Sequence, residues 1–158
     1  MYGNQVNDTP DWVTPGYLVW RLSTKWRVAV DQALAPLDLT HAQYVVLSSL
    51  SGMESTGLRP SQRELADHTG LEPLYVSKLA RSLETARLIR RARDADDSRV
   101  IRLELTDDGR RRAGPAIRAV RTLHGRLLAP LGGADDPRTT ALVRELTALL
   151  DAPLGTAG

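Results

Sequence analysis

The chain has 158 residues, 42% hydrophobic and 25% charged, which is the size of one ordinary domain and the composition of a globular protein, not of a disordered tail. It has no cysteine, which excludes a disulfide framework, a thiolate metal site and a cysteine redox switch; no apolar run approaches the roughly 20 residues of a membrane helix. Net charge is only +2, yet Lys78–Arg102 carries eight basic and four acidic residues, a patch that suits a polyanion or, more blandly, a solvated helix face followed by a charged hairpin.

Residues 1–14 contain Gly, Asn, Asp and Pro with little periodicity and read as a loose arm that orders on a partner. Met1–Asp11 is polar and lacks the charged-then-apolar pattern of a secretory signal, so a cytoplasmic location with no membrane partner is expected. A first helix is predicted from Thr14-Pro15, Pro being suited to the first helical position. Leu18, Leu22, Trp26, Ala29, Ala33 and Leu37 make its stripe, widened by Val19, Val30 and Leu34. Thr40-His41-Ala42-Gln43 is a capping box; it opens a helix that buries Tyr44, Val45, Leu47 and Leu50 and stops at Ser51-Gly52. A polar loop follows from Met53 to Pro60.

Ser61-Gln62-Arg63-Glu64 is a second capping box, opening a short helix over about residues 62–68 with Leu65 and Ala66 inward. Thr69-Gly70-Leu71-Glu72 is a turn, and a further helix from Pro73 buries Val76, Leu79, Ala80 and Leu83. Two short helices so joined make a helix-turn-helix. Past Leu88-Ile89 the period changes to that of a hairpin with an acidic tip, Asp94–Asp97, and a returning strand of Val100, Ile101, Leu103 and Leu105. Thr106 then caps a long helix whose first residues, Asp107 and Asp108, suit a helix N-terminus. Ala113, Ile117, Val120, Leu127 and Leu131 form its stripe, and Pro115 inside it is expected to kink it or delay its start. Gly132-Gly133 ends it, and Leu142, Val143, Leu146, Leu149 and Leu150 mark a last helix. The order is α-α-α-α-β-β-α-α, mainly α with a small β-hairpin wing (α+β).

The second helix of a helix-turn-helix can enter the major groove. Burial of its apolar face leaves Leu74, Tyr75, Ser77, Lys78 and Arg81 outward, where Lys and Arg donate to guanine edges or phosphates and Leu or Tyr can touch a thymine methyl. Arg99, just past the hairpin tip, is placed to enter an adjacent minor groove, with Asp97 holding it by a charge-assisted hydrogen bond. The blander alternatives are ordinary surface residues and a surface ion pair of little energetic worth. Ser61 and Gln62, at the start of the first helix of the motif, and Arg91 and Arg93, on the hairpin, complete the candidate DNA-contacting set.

Taken together these segments resemble the multiple-antibiotic-resistance regulator (MarR) family, from about Leu37 to Arg111. The resemblance is carried by Leu39-Thr40 to Leu47, Glu64-Leu65-Ala66 with Gly70, and Val76-Ser77-Lys78-Leu79 through Leu83-Glu84. It continues through Leu88-Ile89-Arg90-Arg91, Asp96-Asp97-Ser98-Arg99 and Leu103-Glu104-Leu105-Thr106-Asp107-Asp108-Gly109-Arg110. It implies a winged helix-turn-helix with N- and C-terminal dimerisation helices. Residues 1–36 would form the arm and first dimerisation helix, 37–110 the DNA-binding lobe and 111–158 the C-terminal dimerisation helices. It implies a homodimer on a palindromic operator of double-stranded DNA, repression rather than activation, and release by a small, often aromatic, effector. Two departures stand out: Arg87 where the family usually has Gly, and Pro115 in the long dimer helix. Arg87 implies either a different turn or a compensating contact, since a non-glycine residue at positive φ costs about 1 kcal/mol.

A homodimer also follows from the outer helices, whose wide apolar faces one small lobe cannot cover; a two-fold dimer would set two recognition helices about 34–36 Å apart. Three Trp and four Tyr are the only aromatic side chains apart from His. Trp12, Tyr17, Trp20 and Trp26 fall in or before the first helix and Tyr44 in the second. The expected effector pocket is drawn from Trp20, Arg27, His41 and Tyr44, with His41 or Arg27 as polar anchor, although the same rings could simply pack a dimer core. His41, His68 and His124 lie on different elements without metal-ligand spacing, so neither metal nor cofactor is expected. No nucleophile elbow, HExxH or phosphate-cradling glycine loop is present, which argues against an enzyme. The remaining alternative is a winged-helix protein-interaction module without specific DNA binding.

Overall fold

The structure is a computed structural model that describes residues 10–153; most of the expected loose arm, residues 1–9, lies outside the described residues. Its last part is a turn in which the Val13 N–H donates to the Pro10 carbonyl, and Trp12 meets the Tyr17 ring edge-on at 5.3 Å. Thr14 then caps α1 (Pro15–Leu34), its hydroxyl accepting from the Tyr17 N–H. A 3-10 turn, Ala35–Leu37, leads to α2 (His41–Ser55). The predicted capping box is formed in both directions, Thr40 Oγ1 accepting from Gln43 N and Gln43 Oε1 from Thr40 N.

The end of α2 corrects the expectation of a stop at Ser51-Gly52. The helix runs to Ser55, so Met53, Glu54 and Ser55 are helical and the loop is short. A mid-helix Gly costs about 1 kcal/mol, and here tertiary contacts outweigh it: Met53 packs on the core, and Glu54 accepts from the Leu105 backbone N–H at 2.8 Å. On α2, Val46, Leu47 and Leu50 are buried, whereas Tyr44 and Val45 are only half-buried.

α3 (Gln62–Thr69) and α4 (Pro73–Thr85) are joined by Gly70, whose φ of 69° is left-handed and whose N–H closes on the Ala66 carbonyl. All four apolar residues expected inward on α4 are buried. The wing is an antiparallel pair, β1 (Ile89–Arg93) and β2 (Ile101–Leu105), with Ile89 opposite Leu105 and Arg91 opposite Leu103. Val100 lies just before β2, because its N–H and carbonyl are spent on the tip, with Asp97 and Asp94. Ser61 bridges to Arg102, and Leu103 N–H donates to the Pro60 carbonyl; the start of α3 is thereby seated against the wing.

α5 (Asp107–Leu128) begins at its Thr106 cap and continues through Pro115, which neither delays nor ends it. A 3-10 turn, Ala129–Leu131, and the positive-φ Gly132-Gly133 precede α6 (Pro137–Asp151). The eight elements follow the predicted order, a mainly helical fold with one two-stranded hairpin. The core runs from Val30 and Leu34 through α2, α3, α4 and the wing to Ala113, Ala116 and Val120, with α5 packed against α1 and α2. Much of the predicted first stripe is outside it: Leu18, Val19 and Leu22 are exposed, as are Val143, Leu149 and Leu150 of α6.

Candidate nucleic-acid interface

α4 is placed by its own ends. Glu72 caps it by accepting from the Tyr75 N–H, and Pro73 occupies its first turn. Its C-terminus closes in two steps, Arg87 N–H to the Glu84 carbonyl and Leu88 N–H to the Leu83 carbonyl, which is the Schellman arrangement that calls for a left-handed residue after the cap. Arg87 supplies it at φ 60°. The turn therefore keeps its usual path despite the missing glycine, and Thr106 Oγ1 donates to the Arg87 carbonyl at 2.6 Å.

With its apolar side sunk in the core, α4 presents Leu74 (76% exposed), Tyr75, Lys78 and Arg81 to solvent. Ser77 is half-buried beside them and accepts from Arg81 Nη2 at 3.2 Å.

The wing tip is organised by two aspartates. Asp94 Oδ1 accepts from the backbone N–H groups of Asp96 and Asp97, and Oδ2 accepts from Arg102 Nε at 2.6 Å. The Arg102 hydrogen bond, then the two backbone donors, hold the Asp94 carboxyl down to about 2. Asp97 in turn grips Arg99 by two parallel bonds of 3.0 Å, Nε to Oδ1 and Nη2 to Oδ2, and also accepts from the Arg99 backbone N–H. That contact lowers the Asp97 pKa and raises that of Arg99. The brace expected between these two residues is present, and the Arg99 side chain is 89% exposed.

Other members of the candidate set are engaged within the lobe. Arg91 donates to Glu84 of α4 at 2.7 Å, Arg93 Nη1 donates to the Ser98 carbonyl at 3.1 Å, and Ser61 caps α3 with Gln62 half-buried behind it. Sequence reasoning missed Asp94, Arg102 and Glu64 as a linked group, because Arg102 and Glu64 lie 38 residues apart. It also missed Glu104, which strand alternation turns outward; it is buried because Arg59 and Arg90 lie over it, with Arg90 Nε donating at 2.6 Å.

The four residues expected to line an effector pocket are not gathered into one cavity. Trp20 sits with Leu18, Arg21 and Leu22 on an open surface of α1, Arg27 is exposed and His41 half-buried. Tyr44 lies half-buried against the core, where burial raises its pKa. A cleft of about 440 Å³ between α1 and α5 is lined instead by Ala29, Gln32, Ala33, Ala119, Thr122, Leu123 and Arg126. Trp26 packs against His124 at 5.3 Å, and burial lowers the pKa of that histidine. Among the described residues no group of three or more His, Asp or Glu is placed to hold a metal, and no helix is long and apolar enough to cross a membrane.

Comparison with known proteins agrees with this geometry. Residues 37–100 match the MarR family. The HTH-type transcriptional regulator YdcH of Bacillus subtilis is 35% identical over 104 residues, covering 66% of this chain and 71% of its own. The HTH-type transcriptional repressor Rv2887 of Mycobacterium tuberculosis is 37% identical over 116 residues, covering 73% and 81%. Among solved structures, a Staphylococcus aureus MepR–DNA complex superposes with a TM-score of 0.76 at 27% identity, covering 87% of this chain and 96% of that one. CouR from Rhodococcus jostii bound to p-coumaroyl-CoA superposes with a TM-score of 0.69 at 29% identity, covering 85% and 87%.

Proposed function

Because this chain belongs to the MarR family and is a transcriptional regulator rather than an enzyme, we propose that it represses transcription in the cytoplasm by binding a palindromic operator as a homodimer. The observation that carries this reading is Arg99. An exposed ion pair adds little to stability, so a doubly bonded Asp97–Arg99 pair on a wing tip is poor value as a staple. It is well suited to something else: two guanidinium N–H groups fix the side chain, and the remaining donors project toward solvent for a DNA acceptor. Leu74, Tyr75, Ser77, Lys78 and Arg81 would meet base edges and phosphates in the neighbouring major groove.

The second chain is supported by the apolar faces of α1 and α6, which the described part of one chain leaves open. An aromatic effector acting between those helices and the lobe is supported by the p-coumaroyl-CoA complex of CouR. Trp20, Arg27, His41 and Tyr44 would reach it only when the second protomer completes the walls.

Titration of the purified protein onto DNA from upstream of its own gene, at two salt concentrations and against a scrambled duplex, tests the reading. Steeply salt-dependent binding that prefers the upstream fragment, with two chains per site, is the expected result. A folded dimer that binds neither duplex would overturn it in favour of a protein-interaction module. Saturable tryptophan quenching by an aromatic acid would support the effector, and its absence across a panel of such acids would remove it.

A further inference from the structure

We propose that Arg102 is the positioning residue that holds the wing tip at a fixed offset from the helix-turn-helix, and so makes DNA binding sequence-selective. The inference rests on the function proposed above and goes beyond it, since neither the family resemblance nor the candidate contact set assigned Arg102 a role.

The hairpin strands are tied to the lobe from their middle to the pair before the tip, by Arg91 to Glu84, by Leu103 N–H to the Pro60 carbonyl and by the Ser61–Arg102 bridge, which stands next to the terminal Arg93–Ile101 pair. The tip has no such anchor of its own. Its backbone bonds, Asp94 N–H to Val100 and Val100 N–H to Asp97, and the Arg93–Ser98 contact all stay inside the hairpin. Among the described residues, one side chain bridges tip and lobe. Arg102 donates through Nε to Asp94 at 2.6 Å and through Nη1 to Glu64 at 2.8 Å and the Arg59 carbonyl at 3.1 Å.

Both partners of that guanidinium pass the constraint on. Glu64 Oε2, which receives Arg102, also accepts from the Ser61 N–H at 2.6 Å and so belongs to the cap of α3. Asp94, which receives it on the other side, holds the backbone of Asp96 and Asp97, and Asp97 holds Arg99. A continuous path of hydrogen bonds therefore runs from the first helix of the helix-turn-helix to the arginine at the tip. Minor-groove reading by Arg99 and major-groove reading by α4 reinforce each other only when their separation matches that of the two grooves. Two carboxylates near a polyanion weaken binding by repulsion, and fixing this separation is what they supply in return.

The test compares wild type, Arg102→Ala, Arg102→Lys and Asp94→Asn on two duplexes, one selected by the wild-type protein from a random-sequence pool and one scrambled. Melting temperatures check that each variant is folded. Lys keeps the charge but presents a point donor in place of a fork. Asn in place of Asp94 still accepts from the tip backbone while losing the charged partner of Arg102. All three variants are expected to lose about tenfold on the selected duplex with less than about twofold change on the scrambled one, the salt slope staying constant. The sign for Asp94→Asn is diagnostic, because simple electrostatics expects removal of a negative charge to tighten both complexes.

Equal weakening of both duplexes by Arg102→Ala, with a salt slope smaller by about one, would make Arg102 a phosphate contact and overturn the inference. So would full retention of selectivity by Arg102→Lys, or tighter binding to both duplexes by Asp94→Asn. If the wild-type protein selects no duplex at all, it is the proposed function that fails, which separates the two claims. If Arg102→Ala does not fold, the other two variants still decide.

Discussion

Arg99 is a surface residue held in place by its neighbour, in an ion pair too exposed to add much to stability. A free arginine has about 2 kcal/mol of rotamer entropy to lose on binding, and the two bonds to Asp97 remove part of that cost in advance. Arg99→Ala is therefore expected to weaken specific DNA binding by about 1–3 kcal/mol, with the circular dichroism spectrum and melting temperature unchanged. Unaltered affinity would remove the wing from the binding surface. Arg87 is the opposite case, a residue whose strain is intrinsic to the fold. At φ 60° it bears a left-handed cost of about 1–2 kcal/mol, against about 0.4–1 kcal/mol of extra unfolded-state entropy for glycine. Arg87→Gly should thus stabilise the protein by about 0.5–1 kcal/mol, read as a higher denaturant midpoint; a lower midpoint would mean that the Arg87 side chain makes a contact of its own.

Elements here are joined at close quarters, and the junction of α4, the wing and α5 is the tightest. Thr106 donates its backbone N–H to the Leu88 carbonyl, which draws the first turn of α5 onto the residue just before β1. A Cβ on Gly109 would stand 1.9 Å from the same carbonyl oxygen. The obstacle is backbone, so it cannot swing aside, and Gly109→Ala is expected to destabilise the lobe by about 1–3 kcal/mol as overpacking does; an equal or higher melting temperature would contradict this. The glycine three residues after Thr106 is part of the segment that carries the family resemblance, and this approach gives it a physical reason. Pro115 is the reverse lesson. Of the two expectations for it, a kink or a delayed start, the delayed start does not hold: α5 begins at Asp107 and continues past Pro115, and packing of α5 on α1 and α2 offsets the lost backbone bond.

For the whole molecule, the decisive feature is what one chain leaves open. α6 makes no extensive contact with another described element, and Leu149 and Leu150 are 64% and 85% exposed. With Leu18, Val19 and Leu22 of α1, these exposed side chains are the surface on which the proposed second chain would pack. Leu149→Glu combined with Leu150→Glu should therefore give a folded monomer by light scattering, with loss of operator binding, since one lobe reaches only a half-site. A dimer that persists in this variant would place the interface elsewhere.

The features legible from sequence are those written over a few residues. Both capping boxes, the Gly70 turn, the buried face of α4 and the hairpin depend on contacts within about one helical turn or across a short tip, so spacing alone specifies them. The order of elements and the exposed face of α4 follow from the same local rules. Only the tertiary structure decided where α2 ends, because Glu54 is anchored by Leu105, 51 residues away. It alone showed that Glu104 is covered by arginines, that Arg102 joins the tip to α3, and that the four residues expected at an effector pocket do not converge within one chain. Hydrophobic periodicity records which face a helix hides; it does not record which neighbour, distant in sequence, the chain folds back to place there.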